Sequence, residues 1–234
     1  MGFNPLWLAE WICQSVKLKQ GMRILDMGCG KALSSIFLAK EFGVKVVAND
    51  LWVDPSENWI RIKECKLENE IIPIKAEAHS LPYADNYFDG AICIENYQYY
   101  GYENYAGYFS KFIKPGGFIA IAQNGHTTSK KLLDINAIPE YFIKYFTGQL
   151  DQNSTEIDTN DYTVQSWKER LEKGNKIKVM STEILADGSA KYIKFLEELE
   201  KAGYKYRLQS ALEDNIKDNG KFLCWMKLIG KVIH

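Results

Sequence analysis

The run Asp26-Met27-Gly28-Cys29-Gly30-Lys31-Ala32 sets a carboxylate two residues ahead of a glycine pair, just after the apolar Ile24-Leu25. Glycines between a strand end and a helix let a ligand approach the backbone, and an acid there can accept hydrogen bonds from it. A pyrophosphate site would carry G-x-G-x-x-G with a helix N-terminus facing the phosphates. Here Ala32 and Leu33 follow Gly30, and the acid precedes the turn. That pattern suits a cationic ligand bearing an ammonium better than a pyrophosphate. A second acid, Asp50, closes Val46-Val47-Ala48-Asn49, 22 residues after Gly28. The spacing is near the ~20 residues expected of a ribose-binding carboxylate; the bland alternative is a strand-end helix cap. Further on, six of the 14 tyrosines lie between positions 97 and 108, directly after Glu95-Asn96. Tyrosine faces can hold a cationic amine, at about 0.5–2 kcal/mol per contact, or wall an apolar pocket, or simply pack. Glu95 and His126 are base candidates at strand ends.

The elements that must position these groups alternate. Asn4 and Pro5 start a helix whose apolar face reads Leu8, Trp11, Ile12 and Val16. A strand over 23–27 runs into the glycine turn. A helix follows with Leu33, Ile36, Phe37 and Phe42 at helical spacing, then a buried strand over 44–48. Asp54-Pro55-Ser56-Glu57 starts another helix, with an acidic cap, proline first, and glutamate three residues after the cap. The strand over 71–74 contains Pro73, which removes a ladder donor and assigns that strand to the sheet's edge. Strands over 88–95 and 118–123 follow, the second after the turn Lys114-Pro115-Gly116-Gly117. Beyond 125 the pattern loosens: a polar loop over 149–163, a strand over 176–185, a helix over 190–202 and a last strand over 222–232. Strand–helix alternation makes a parallel doubly wound sheet, with ligand at the carboxyl ends of its strands.

Composition narrows the classes. The 234 residues are 46% hydrophobic, and 29 basic against 30 acidic residues give a net charge of -1. Without a basic excess a mainly electrostatic nucleic-acid binder is not expected. Cys13, Cys29, Cys65, Cys93 and Cys224 are scattered, with no C-x-x-C pair, so neither a disulfide framework nor a metal site is indicated. The N-terminus does not read as a signal peptide, and the apolar runs are far shorter than the ~18–20 residues of a spanning helix. The expectation is a cytoplasmic protein without integral membrane association.

Asp26-x-Gly28-x-Gly30 resembles the first motif of class I S-adenosylmethionine-dependent methyltransferases. Val46-Val47-Ala48-Asn49-Asp50 resembles their second strand. Ala76-Glu77-Ala78-His79-Ser80-Leu81-Pro82, followed by Tyr87-Phe88-Asp89, resembles the adenine loop and the start of strand four. Phe112-Ile113-Lys114-Pro115-Gly116-Gly117 resembles the turn before strand five. The likeness covers residues 21–124 and is best to the small-molecule branch, which includes amine methyltransferases and cyclopropane-fatty-acid-synthase-like proteins. Ala32 departs from it, standing where many members have a third glycine.

The resemblance implies one α/β domain over 1–234, a Rossmann-like doubly wound seven-stranded sheet, mostly parallel with an antiparallel C-terminal strand. Within it come an N-terminal helix (1–20), a cofactor-binding core (21–124), an acceptor cap inserted after strand five (125–175), and C-terminal strands and helix (176–234). Ile138 to Phe142 and Trp167 would give the cap its apolar face. The implied cofactor is S-adenosylmethionine. Asp26 would orient its methionine end, and Gly28 and Gly30 would touch methionine and ribose. Asp50 would take both ribose hydroxyls, Leu51 or Trp52 the adenine face, Glu77 the adenine amino group and the Ala78 N–H a ring nitrogen. Glu95 would lie at the cofactor as well. His79 would be a loop contact near adenine. Tyr97, Tyr99 and Tyr100 would face the acceptor, with Glu95 or His126 as base. Residues Glu95-Asn96-Tyr97-Gln98 lack the Asn-Pro-Pro-Tyr or Asp-Pro-Pro-Tyr element of methyltransferases acting on adenine bases or glutamine side chains, which speaks against those acceptors, and the resemblance to the small-molecule branch implies a small-molecule acceptor. The alternative is a non-catalytic protein that binds S-adenosylmethionine or S-adenosylhomocysteine; a dinucleotide-dependent oxidoreductase is third. Oligomeric state stays open.

Overall fold

The computed structural model describes residues 2–102, 104–129, 161–205 and 208–233, with Pro139 and Tyr141. Most of the expected cap segment lies outside the described residues, as does His234. Strand β1 (Arg23–Met27) pairs in parallel with β2 (Lys45–Asp50) on one side and β4 (Phe88–Ile94) on the other, with Leu25 opposite both Val47 and Ala91. Parallel strands covered on both faces need near-continuous apolar runs, and Ile24, Leu25, Ala91, Ile92 and Cys93 are fully buried. Beyond β2 lies β3 (Ile71–Lys75), at the edge where Pro73 needs no ladder donor. With β5 (Ile113–His126), β6 (Ile177–Ile184) and β7 (Leu223–Val232) the seven-stranded order is β3-β2-β1-β4-β5-β7-β6. β7 is antiparallel to both neighbours. The Thr127 N–H donates to the Phe222 carbonyl at 2.9 Å, the Leu185 N–H to Trp225 at 2.9 Å, and the Ile233 N–H to Lys176 at 3.0 Å. The order reverses between β1 and β4, which opens a crevice at their carboxyl ends.

Helix α1 (Pro5–Cys13) is capped by the Asn4 side chain, which accepts from the N–H groups of Leu6 and Trp7. It buries Leu8, Trp11 and Ile12 but ends at Cys13, so Val16 lies beyond its face. Helix α2 (Leu33–Phe42) buries Ser34, Ser35, Leu38 and Ala39, not the expected Leu33, Ile36, Phe37 and Phe42. The reason is polar: both serine hydroxyls donate to buried Asp26, which turns the serine face inward and leaves Leu33 exposed. Helix α3 (Pro55–Glu64) starts as expected, with the Asp54 carboxylate accepting from the Ser56 N–H at 2.8 Å. Strand β5 begins at Ile113, earlier than expected. It keeps pairing across Pro115-Gly116-Gly117 through an irregularity in which Phe88 faces Ile113 and Gly90 faces Phe118. Helix α6 (Gly188–Lys201) matches the expected 190–202 closely. Three helices were not legible as such: α4 (Tyr105–Ser110), α5 (Val164–Glu172) and α7 (Leu208–Asp218).

Packing divides the described residues into two units. The first, residues 2–123, 168–183 and 226–233, holds β1 to β4, most of β5 and β6, and α1 to α4. In the second, the Tyr162 ring meets His126 at 5.4 Å and Trp167 at 6.1 Å, and Tyr192 packs on Trp225 at 4.6 Å. There Asp218, at the end of α7, accepts from the Phe222 and Leu223 N–H groups and anchors the start of β7.

Candidate active site

The carboxyl ends of β1, β2 and β4 bring the two acids and the glycine turn together within the first unit. Gly28 and Gly30 have φ of +68° and +53°, the left-handed region that favours glycine. A Cβ on Gly28 would come within 2.7 Å of Asn96 Nδ2, whereas one on Gly30 would meet nothing within 4 Å among the described residues. The turn therefore closes against Asn96 on one side and opens to free space at Gly30. Asn96, which the sequence offered only as a neighbour of Glu95, fastens the ends of β1 and β4. Its Nδ2 reaches the carbonyls of Met27, Gly28 and Ile94 at 2.7, 3.0 and 2.8 Å, and its Oδ1 accepts from the Tyr100 hydroxyl at 2.6 Å. On the far side of the turn the Asn58 amide donates to the Gly30 carbonyl at 2.9 Å.

Asp26 is 1% exposed. Ser34 and Ser35 Oγ each donate to its Oδ2 at 2.6 Å, while Oδ1 is buried without a hydrogen-bond partner among the described residues. Burial pushes its pKa up to about 6 against the opposing pull of the two hydroxyls and, to a smaller extent, the Ser35 backbone N–H, with Asp50 adding to the rise. Asp50 accepts from the Gly30 N–H at 2.8 Å through Oδ2, and from the Trp52 and Val53 N–H groups at 2.8 and 2.9 Å through Oδ1. Three donors leave about one of a carboxylate's roughly four acceptor positions. The strand-end anchor and the ligand contact are thus not exclusive readings of Asp50. Leu51 and Trp52 follow it exposed, at 45% and 77%, with the Trp52 ring edge-on to Tyr99 at 5.8 Å.

Glu77 sits in an exposed loop, where its carboxylate accepts from the His79 N–H at 2.8 Å and pairs with the His79 ring at 2.9 Å, which holds its pKa below the usual range. Ala78 is buried and its carbonyl accepts from the Tyr105 hydroxyl at 3.1 Å. Of the tyrosines singled out in the sequence, Tyr97 is fully buried, Tyr99 is 54% exposed, and Tyr100 is half-buried. A cavity of about 420 Å³ is walled by Tyr99 and Tyr100, but also by Tyr102, Tyr105 and Tyr108, with His79 and Asn104. Tyr97 is not among its walls. It packs against two of the wall rings, edge-on to Tyr100 at 5.5 Å and to Tyr105 at 5.9 Å. The tyrosine count over 97–108 pointed to this cluster, but only the 3-10 turn at Tyr97–Tyr99 and the helix α4 decide which rings face the space.

Glu95 directly follows β4 with φ +55°, unusual for a residue with a side chain, and its Oε2 accepts weakly from the Phe3 N–H at 3.4 Å. Burial raises the pKa of the Tyr99 phenol, and the nearby Glu95 carboxylate adds to the rise. His126 is buried in the second unit, its N–H donating to the Tyr162 carbonyl at 3.0 Å. Among the described residues no group of three or more His, Cys, Asp or Glu side chains could hold a metal ion, and no helix is long and apolar enough to cross a membrane.

Comparison with known proteins adds to this geometry. The family model for mycolic acid cyclopropane synthetase matches residues 8–155. A cyclopropane-fatty-acyl-phospholipid synthase of Escherichia coli (strain K12) is 26% identical over 133 residues, covering 56% of this chain and 32% of its own. The chain thus spans about a third of that relative's length. Among solved structures, phosphoethanolamine N-methyltransferase 2 of Haemonchus contortus, in complex with S-adenosyl-L-methionine, superposes with a TM-score of 0.75 at 16% identity, over 98% of this chain and 57% of that one. Geranyl diphosphate C-methyltransferase of Streptomyces coelicolor A3(2), in complex with Mg2+, geranyl diphosphate and S-adenosyl-L-homocysteine, gives 0.72 at 12% identity, over 97% and 77%. At such identities these two establish the fold.

Proposed function

The chain belongs to the mycolic acid cyclopropane synthetase family, and from that premise we propose that it transfers a methyl group from S-adenosylmethionine to a small-molecule acceptor. The observation that carries the reading is the cluster at the ends of β1 and β2: a buried acid with one oxygen lacking a partner, a glycine turn open at Gly30, and a second acid beside it. This donor set fits the cofactor. Asp26 would take the ammonium of the methionine end, and Gly30 would admit the ligand against the backbone. Asp50 would hold the ribose edge with the acceptor capacity its three backbone donors leave. Leu51 and Trp52 supply exposed apolar surface for adenine, and the Glu77–Ala78 loop supplies its polar contacts. When bound, the cofactor supplies an electrophilic methyl on a sulfonium. In-line displacement then asks the protein for alignment and exclusion of water more than for covalent chemistry.

The acceptor sits, in this reading, in the tyrosine-walled cavity. The hydroxyls of Tyr100 and Tyr105 donate to Asn96 and to the Ala78 carbonyl, and the Tyr108 oxygen accepts from the Leu81 N–H at 2.8 Å. Their oxygens are thereby held in the walls, and their rings bound the space. For an acceptor that must lose a proton, Glu95 is the carboxylate we assign as base, in preference to His126 of the other unit. Calorimetric titration with S-adenosylhomocysteine, followed by a metabolite-extract screen with labelled methyl donor, tests the reading. Tight binding with label transferred to an extractable small molecule is the expected result. A folded protein that binds neither form of the cofactor overturns it, and binding without transfer to any acceptor would leave the non-catalytic alternative.

A further inference from the structure

We propose that Ser34 and Ser35 are positioning residues that hold the Asp26 carboxylate for the ammonium of the methyl donor, so that donor binding is coupled to release of a proton from Asp26. The inference rests on the donor-site reading above. Its basis is an asymmetry within one carboxyl group. Oδ2 takes two hydroxyl donors at 2.6 Å from consecutive residues of α2, and both serines are nearly or fully buried. Oδ1 is buried with no hydrogen-bond partner among the described residues. A buried acceptor without a donor is costly, and it can be relieved in two ways: by a proton on the carboxyl group, or by a cation.

The surroundings favour the proton while the site is empty. The titratable groups that interact with Asp26, among the described residues, are Asp50 at the end of β2, Cys29 in the glycine turn and Cys93 on β4. None is cationic, and burial raises both thiols, Cys93 to about 12, so they stay neutral. Burial accordingly pushes Asp26 up to about 6, and the serines are what keep it from rising further. A ligand ammonium favours the ionised form. Binding below about pH 6 therefore converts the carboxylic acid to a carboxylate paired with the ammonium, and the proton leaves to solvent. Removing a serine hydroxyl weakens the anion alone, so the acid should hold its proton to higher pH.

Calorimetry with S-adenosylhomocysteine from pH 5 to 8, in two buffers of different ionisation enthalpy, counts the proton directly. The wild type should release up to one proton on binding at pH 5, and lose affinity by about tenfold per pH unit below about 6. In Ser34→Ala and Ser35→Ala the same fall should begin about one pH unit higher, with near-wild-type affinity regained by pH 8. An equal loss at every pH would make the serines merely structural and overturn the proposal. Should a serine variant not fold, Asp26→Asn and the carboxyl-carbon NMR titration of unliganded wild type decide. Proton release must vanish in the variant, and an Asp26 titrating near pH 4 overturns the proposal. Wild type that binds no cofactor at any pH would instead refute the donor site itself, whereas pH-independent binding refutes only the coupling.

Discussion

At the scale of a single residue, Asp26 in the empty protein keeps its proton to a higher pH than an ordinary aspartate. Its folded pKa, raised to about 6 by burial, lies above the ~3.9 of an unfolded aspartate. An acid shifted this way lends the folded state most stability below pH 4, and that contribution is lost as pH rises through about 6. Asp26→Asn keeps an acceptor for the serines and removes the ionisation. The unliganded variant should exceed wild type in stability by on the order of 1–3 kcal/mol at pH 7.5, and by much less at pH 4.5, while losing cofactor affinity. Urea unfolding at the two pH values checks this, and an equal gap at both would contradict it. The glycine turn yields a second residue-scale prediction. Any side chain at Gly28 strikes Asn96 before it reaches a ligand, so a loss of binding there reports on folding as much as on the cofactor. Gly30 is the informative position. Gly30→Asn retains a left-handed backbone at a cost of about 1 kcal/mol and projects into open space, so calorimetry should show cofactor affinity falling at least tenfold with the fold intact. Unchanged affinity would place the ligand elsewhere.

At the scale of the element, the segment from the 3-10 turn to the end of α4 separates rings that hold the structure from rings that face the cavity. Tyr97 is a large side chain at 1% exposure, and Tyr97→Ala should lower stability by about 3–5 kcal/mol through the cavity it leaves. That corresponds to a drop in Tm of roughly 10 °C for a chain of this size. Tyr99 is 54% exposed, and Tyr99→Ala should stay within about 0.5 kcal/mol of wild type while impairing turnover once an acceptor is found. Thermal melts and steady-state kinetics on the pair test the division; similar stability losses in both would erase it. Helix α2 makes a related point. Ala32, ahead of it, has φ +58° and is fully buried. Glycine there would relieve about 1 kcal/mol of left-handed strain but lose a buried methyl and gain unfolded-state freedom of similar size. The departure from a third glycine thus carries little energetic consequence.

At the scale of the whole molecule, the first unit ties residues far apart in sequence through one buried cation. Lys227 on β7, 3% exposed, bonds Glu183 Oε2 at 2.8 Å and the Trp11 carbonyl at 3.1 Å, and lies 4.6 Å over the Trp11 ring. Glu183 in turn accepts from the Trp11 indole at 3.0 Å. Removing the acid alone strands a buried charge, whereas removing the cation leaves a half-exposed carboxylate that water can serve. Glu183→Ala should therefore cost more than Lys227→Met, with about 2 kcal/mol expected for the former. Denaturant midpoints for the two variants check the order, and a reversed order would mean that the aliphatic stem and ring contact of Lys227 dominate.

The sequence by itself determined the alternating core, the glycine turn flanked by Asp26 and Asp50, the edge position of β3 and the cluster of tyrosines. These follow from periodicity, proline's missing donor and short motifs, all of which act over a few residues. It did not determine that the buried face of α2 would be serine, because that face is chosen by a carboxylate on another element. Nor did it single out Asn96, whose role exists only where the ends of β1 and β4 meet. Tyr97 and Tyr99 are two positions apart in one short turn, yet the first is buried and the second open. Composition cannot separate them, because exposure is decided by what packs against each ring, and that is a property of the tertiary structure alone.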